Sequence, residues 1–371
     1  MIYADNAATT KMDIDAFEAM TPFLLENYAN ASQPYSFARL AKKAIKEARE
    51  TIAACIGAEP DEIFFTSGGT ESDNWAIKGT APRDGRCRVI TTAFEHHAVI
   101  RACEHMKCMG CEVTYLMPTP EGVITTDALS KVITPDSNLV SVMMVNNEIG
   151  TIQPIKELCK SAHEKGVLFH TDAVQAVGHI PIDVHDLGID FLSASAHKFN
   201  GPKGIGFLYI KKSTQIEAYQ DGGAQEFGLR AGTENVAAIV GMATALSKNY
   251  MSLGQTEWHL RELEAIILNG LKAAEIDFRR NGNGLQIPGN LSLSFRNYEG
   301  EMLLHRLDLM GIMVSTGSAC DSQNTQISHV LKAIGADPEY ALGTIRISLG
   351  KDNTCAEAEK IARAIIKIIK M

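Results

Sequence analysis

This 371-residue sequence predicts an α/β fold: a mainly parallel sheet with helices on both faces, followed by a smaller α+β part. Three observations carry that prediction. Up to about residue 200, short apolar runs alternate with longer helical patterns, and strand–helix–strand order implies parallel strands joined by crossover helices. From about Glu234 to Leu271 the pattern is long and helical, broken at Gly254, and a different alternation follows it. The length itself, at about 150 residues per domain, suits one large domain and one smaller one.

Residues 62–66, 88–91, 112–116, 139–143, 167–170 and 191–194 are short runs rich in Val, Ile, Leu and Phe, and they read as buried strands. Amphipathic stretches such as residues 39–55 and 155–165 lie between most of them and read as helices. Residues 291–295 alternate with period two, residues 302–310 read as a helix and residues 345–349 as a strand. Ile361, Ile365, Ile366 and Ile369 repeat at helical spacing in a terminal helix over 356–369. The expected division is a large domain over 15–254 and a small one made of 1–14 and 255–371.

Composition narrows the function. With 45% hydrophobic and 21% charged residues the chain is neither disordered nor fibrous. Lys plus Arg is 35 against 44 Asp plus Glu, a net charge of −9, which argues against general binding to nucleic acid or anionic membranes. No apolar run reaches the ~20 residues that a membrane span needs. The first residues, Met1 to Asp5, show no basic segment followed by an apolar one. Eight cysteines in such a chain predict reduced thiols and a cytoplasmic location.

The chemistry concentrates at predicted strand ends, where ligands of such sheets sit. The strongest cluster is Ser195-Ala196-His197-Lys198-Phe199-Asn200-Gly201-Pro202-Lys203-Gly204-Ile205-Gly206. A lone lysine is usually a snorkelling surface residue, but one at a buried strand end, flanked by Ser-His and glycines, suits a desolvated amine that captures an aldehyde cofactor. Asp172, at another strand end, is by itself more often a helix cap. Beside Lys198 it suits the carboxylate that keeps a pyridoxal ring nitrogen protonated. In Ser67-Gly68-Gly69-Thr70-Glu71-Ser72, glycines and a helix N-terminus suit an anion, although this turn alone more simply caps a helix and lacks the Gly-Lys-Ser/Thr of a nucleotide loop. Glu95-His96-His97 offers an imidazole that could cover a ring, and Val145 to Gly150 brings amides to the same crevice.

These pieces, with Asp5 to Thr10, Arg230-Ala231-Gly232-Thr233 and Ser315-Thr316-Gly317-Ser318-Ala319-Cys320, stand in an order that resembles the class V, fold type I pyridoxal-phosphate enzymes, and among them the cysteine desulfurases of the NifS/IscS type. The resemblance runs almost end to end. It implies the fold type I transferase architecture, with a mostly parallel seven-stranded sheet in the large domain and a small α+β domain that carries a catalytic cysteine loop. It implies pyridoxal 5'-phosphate joined to Lys198, Asp172 at the ring nitrogen, Gln175 at the ring hydroxyl and His96 stacked on the ring. Gly69, Thr70, Ser195 and His197 would hold the phosphate, joined by Thr233 from the partner subunit of a homodimer. Asn147 and Arg346 would hold the substrate, Arg346 by its α-carboxylate, with Asn6 nearby.

The resemblance further implies that L-cysteine becomes L-alanine and that its sulfur is held as a persulfide on Cys320, then passed on for iron–sulfur cluster assembly or thiolation. Small polar neighbours suit Cys320 to an exposed, mobile loop rather than a core. Cys55, Cys87, Cys159 and Cys355 read as ordinary core thiols. Cys108-Met109-Gly110-Cys111 with Cys103 offers a metal or redox reading, but Gly110 reads as a helix end that separates the two thiols, so no metal site is expected. Asp321 departs from the family's uncharged residue and would raise the neighbouring thiol's pKa. Residues 30–35 lack the family's usual Asn-Pro-Ser-Ser followed by His. The chain ends at Met371 without the tail that housekeeping members use to grip the iron–sulfur scaffold protein, which leaves the acceptor open. The alternatives on the same fold are a selenocysteine lyase or another class V aminotransferase-type enzyme; outside it, a non-catalytic partner in a sulfur relay.

Overall fold

The computed structural model describes residues 1–81, 87–316 and 327–371. After a short strand β1 (Ile2–Tyr3) come β2 (Ile63–Thr66), β3 (Arg88–Thr92), β4 (Glu112–Leu116), β5 (Leu139–Ser141), β6 (Leu168–Asp172), β7 (Phe191–Ser195) and β8 (Gly206–Ile210). The last seven form one sheet in the order β2-β8-β7-β6-β5-β3-β4. Neighbours run parallel except β8, which is antiparallel to both β2 and β7. The helices of this part are α1 (Ile14–Leu25), α2 (Arg39–Ile56), α3 (Gly69–Gly79), α4 (His97–Cys108), α5 (Thr126–Ser130), α6 (Ile155–His163), α7 (Val184–Leu187) and α8 (Val236–Met251).

Strand periodicity divides the apolar residues between two layers. Phe64, Val89, Leu139, Phe191 and Leu208 face Trp75 and Ile77 of α3 and Val99 and Met106 of α4. Phe65, Ile90, Val140, Leu192 and Tyr209 face the other way, into a core shared with Ile52 of α2, Leu158 of α6 and Met242 of α8. Covered on both faces, the strands need no polar face, which is why they read as continuous apolar runs.

A second core lies around β9 (Phe278–Arg280), β10 (Asn290–Phe295), β11 (Ile312–Met313) and β12 (Thr344–Ser348), with the antiparallel order β12-β10-β9. Here α9 (Leu253–Ala273), α10 (Gly300–Leu309) and α13 (Cys355–Ile369) bury Leu263, Ile267, Leu307, Ile361 and Ile365. The N-terminus joins this core, because β1 pairs in parallel with β11 and Ile2 and Ala4 are buried there. Two short helices, α11 (His329–Ala333) and α12 (Pro338–Ala341), complete the chain, and Val330 and Leu331 of α11 pack on the core of the large sheet instead. We propose 15–254 against 1–14 with 255–371 as the working division, with α11 as the piece of the second part that crosses it.

Three elements differ from the sequence reading. The break in the long helical stretch falls at Ser252, whose hydroxyl donates to the carbonyls of Lys248 and Asn249, while Gly254 lies inside α9. Strand β8 was hidden by the glycines before it: Asn200 and Gly204 take positive φ (64° and 79°) and reverse the chain into an antiparallel strand. Cys87 is no free core thiol. Pairing of Arg88 with Glu112 sets the preceding residues side by side, and Cys87 and Cys111 form a disulfide across a Cα separation of 4.6 Å. Cys103 and Cys159 are buried thiols, Cys55 and Cys355 are partly buried and Cys108 is exposed. No helix among the described residues is long and apolar enough to cross a membrane.

Gly206 shows how tightly the sheet is joined to the turn after β2. A Cβ there would meet the Ala194 carbonyl oxygen and come within 2.7 Å of Gly68 Cα. Gly206→Ala is expected to destabilise the fold by about 1–3 kcal/mol, measured by urea unfolding; an unchanged midpoint would show that the turn yields freely.

Candidate active site

Because β2, β3, β5, β6 and β7 run in one direction, the segments that follow them meet at one edge of the sheet. A cavity of about 300 Å³ opens there, lined by Ala7, Ala8, Gly69, Thr70, Asp73, His96, His97, Met143, Asn147, Glu148, Asp172, Val174, Gln175, Ser195, His197, Lys198, His329 and Arg346. Of the residues singled out from sequence, it gathers Gly69, Thr70, His96, Asn147, Asp172, Gln175, Ser195, His197, Lys198 and Arg346.

Lys198 follows β7 in a short 3-10 turn, and its Nζ donates to the carbonyls of Ala7 (2.6 Å) and Ala8 (2.9 Å). The N-terminal segment thus forms one wall of the cavity. Gln175 Nε2 donates to the same Ala7 carbonyl at 2.9 Å. Asp172 closes β6 and is 4% exposed. Its Oδ1 accepts the Val174 N–H at 2.9 Å. Burial raises its pKa, while that hydrogen bond and the charge of Lys198 pull it back.

The Ser67–Ser72 turn forms a cradle for an anion. Helix α3 starts at Gly69, so its first N–H groups have no partner within the helix and point at the cavity mouth with the positive end of the dipole. A Cβ on Gly69 would collide with Val174 Cγ2, so only glycine fits this close to the β6 end. Ser195 stands beside Gly68, and His197 Nδ1 is 3.1 Å from Thr9 Oγ1. Glu71, the acid of the first turn, is paired with Arg230 (2.8 Å), which leaves the cradle's field positive.

His96 caps α4, its Nδ1 accepting the Ala98 N–H at 3.2 Å. Burial, then the charges of Lys198, His97 and His329, push its pKa down to about 4, so it is neutral at pH 7. Arg346, on β12, is 3% exposed; its guanidinium donates to Asp5 Oδ1 (2.8 Å) and the Asn147 carbonyl (2.9 Å), and its Nε is buried without a hydrogen bond. As a buried cation lining the cavity, Arg346 fits a carboxylate ligand.

Two residues fall elsewhere. Asn6 lines a neighbouring cavity of about 340 Å³, where its Nδ2 donates to the Ser348 carbonyl at 2.9 Å. Thr233 is exposed and away from the cavity of its own chain. Cys320 lies outside the described residues. Sequence reasoning missed Asp73, Glu95, His97, Glu148 and His329. Asp73 directly follows the glycine-turn motif, and its spacing of four from Gly69 is the available signal. Only tertiary packing brings His329 in; its Nε2 lies 2.9 Å from the Glu95 carbonyl. Among the described residues, the group with metal-like convergence is Asp73, His96 and Asp172, within this cavity and apart from the cysteines.

Glu95 yields a pH prediction. It is fully buried, accepts from Thr92 Oγ1 (2.8 Å) and Met143 N–H (2.9 Å), and burial pushes its pKa up to about 8. Folded chains keep this proton where unfolded chains have lost it, so Glu95 makes stability fall as pH rises from about 4.5 to about 8. Glu95→Gln removes that slope. It is expected to gain on the order of 1–3 kcal/mol over the parent at pH 7.5 and almost nothing at pH 4.5, read by urea unfolding. An equal difference at both pH values would contradict the assignment.

Comparison with known proteins gives the family. The family model "Aminotransferase class-V" matches residues 2–361. The cysteine desulfurase IscS of Dictyoglomus turgidum is 47% identical over 100% of this chain and 94% of its own length. That of Methanosarcina thermophila is 45% identical over 100% and 92%. Among solved structures, a NifS-like protein superposes with a TM-score of 0.93 at 38% identity, covering 100% of this chain and 99% of that one. SspA, solved in complex with cysteine, gives 0.84 at 36%, covering 95% and 100%. With both sequence and structure matched from end to end, the chain belongs to the class-V aminotransferase family, in its NifS/IscS cysteine desulfurase branch.

Proposed function

We propose that this desulfurase holds pyridoxal 5'-phosphate on Lys198, takes L-cysteine to L-alanine, and carries the sulfur as a persulfide on Cys320. The observation that carries the reading is the convergence on one cavity of a lysine amine, a buried carboxylate and a helix N-terminus. Their chemistry suits the aldehyde, the ring nitrogen and the phosphate of one cofactor. Bound there, pyridoxal phosphate supplies an electron sink for the substrate's α-carbon.

The chain's own residues do the rest. Asp172 holds a negative charge against the ring nitrogen. His96, kept neutral by burial, covers the ring, and Gln175 meets its hydroxyl. Gly69, Thr70, Ser195 and His197 hold the phosphate, with Thr233 of a second copy completing the cradle in a homodimer. Arg346 grips the substrate's α-carboxylate beside Asn147, and Asn6 steadies the N-terminal wall from the neighbouring cavity. With its amine free, Lys198 would take the substrate's α-proton. The Cys320 thiolate then attacks the substrate sulfur: an S–S bond forms, the C–S bond breaks, and its electron pair stays with the carbon side until a proton completes alanine. Both flanks of residues 317–326 are tied to cavity residues, which supports this role. The Ser315 N–H donates to the Arg346 carbonyl (3.0 Å), and Ser328 Oγ donates to Glu148 Oε2 (2.5 Å).

L-Cysteine is the substrate in this reading because SspA, a structural relative, was solved with cysteine and the sequence relatives are named cysteine desulfurases. The persulfide passes to an acceptor for iron–sulfur cluster assembly or thiolation. The five free thiols among the described residues support a cytoplasmic location.

Protein loaded with pyridoxal phosphate and given L-cysteine is expected to release alanine in amounts equal to protein-bound plus free sulfide, with the persulfide mapped to Cys320 by mass spectrometry. Cys320→Ala should keep the cofactor's visible absorbance and lose at least about 100-fold in turnover, and undiminished turnover would refute the nucleophile. Arg346→Leu should raise the KM for L-cysteine about 10- to 100-fold, the worth of a charge-assisted hydrogen-bonded pair; an unchanged KM would move the carboxylate site elsewhere.

A further inference from the structure

We propose that Asp73 is a protonated carboxyl that lies against Asp172 in the floor of the cavity and positions it, so that a single negative charge faces the cofactor's ring nitrogen. This rests on the reading of the cavity as a pyridoxal phosphate site.

Asp73 sits one helical turn after Gly69 on α3, on the face turned to the sheet, and is 1% exposed. The groups around it come from four directions. β6 presents His170, whose Nε2 is 3.6 Å from Asp73 Oδ1, and two residues on, to the same side, Asp172. β7 presents the Ser193 hydroxyl, which lies close enough to pull the Asp73 pKa down in part. The segment after β3 presents Glu95 and His96. Lys198 reaches in from the end of β7, and its charge acts on Asp172.

None of these gives Asp73 a cation of its own. His170 has a hydroxyl beside each ring nitrogen, Ser141 Oγ at 2.8 Å and Ser193 Oγ at 3.0 Å, and burial pushes its pKa down to about 3. Single ligand atoms of Asp73, Asp172 and His96 all lie within 4.8 Å of one another. Two carboxyls so close and so deeply buried do not both ionise. The backbone N–H of Val174 and the charge of Lys198 favour the anion at Asp172. Asp73 therefore keeps its proton, and burial together with the charge of Asp172 raises its pKa well above the usual carboxyl range. Its Oδ1 is buried without a hydrogen-bond partner. As an acid it donates where a second carboxylate would only repel.

The test compares holoenzymes carrying Asp73→Asn and Asp73→Leu. Asn keeps a donor without charge, so cofactor affinity, read by fluorescence titration, should stay within about threefold, and the pH titration of the cofactor's visible absorbance should not move. Leu fills the volume without a donor. It should weaken cofactor binding at least about tenfold and shift the absorbance titration, as loss of a hydrogen bond to a charged group requires. Parent-like behaviour of both variants would overturn the proposal. So would an Asn variant as damaged as Leu, because the negative charge would then be what matters. Infrared spectroscopy at pH 7 gives an independent reading, also on cofactor-free protein: besides the band of protonated Glu95, which Glu95→Gln removes, the parent should show a second protonated-carboxyl band that Asp73→Asn removes. Its absence would overturn the proposal even if a variant failed to fold. Failure of the parent to bind pyridoxal phosphate, with that band present, would instead refute the cofactor reading.

Discussion

A carboxyl taken out of water holds a negative charge only where something nearby favours it; Asp73 and Asp172 line this cavity and Glu95 is buried within reach of both, each at most 4% exposed. The site depends on how their protons are divided. Asp172 alone has a backbone N–H donor together with the influence of Lys198, while Glu95 is pushed up to about 8 by burial. The same burial that makes the floor costly keeps His96 and His170 neutral. One anion among neutral neighbours is what a protonated ring nitrogen needs beneath it.

The sheet makes this arrangement affordable. Parallel strands end together, so Thr66, Thr92, Ser141, Asp172 and Ser195 bring their loops to one edge without long connections. Antiparallel β8 returns the chain between β2 and β7, and its first residue, Gly206, pairs with both Thr66 and Ser195. The anion cradle and the lysine turn are thereby fixed to the same strand. The N-terminal segment closes the opposite wall, and since β1 pairs with β11 while Ala7 and Ala8 accept from Lys198, the second core is joined directly to the amine.

Much of this was legible in the residues. Strands covered on both faces leave continuous apolar runs, so β2 to β7 were found within a few residues, and α2, α6 and α13 stood out by their apolar spacing. The turn motifs marked the strand ends, and their order pointed to the family. What stayed hidden had a physical reason. β8 follows a glycine-rich reversal and looks like part of a loop. The Cys87–Cys111 disulfide depends on strand register, which no local pattern states. No local pattern marks Asp73 and Glu95 as buried; only packing of the helix and of the segment after β3 on the sheet does so. His329 comes from far along the chain, and nothing in its own sequence window signals a place beside Glu95 and His97.

The most direct measurement is chemical. Protein incubated with pyridoxal phosphate, reduced with borohydride and digested should yield one peptide bearing the pyridoxyl group, and that peptide should carry it on Lys198. A label on any other lysine, or no label on a folded protein, would contradict the account.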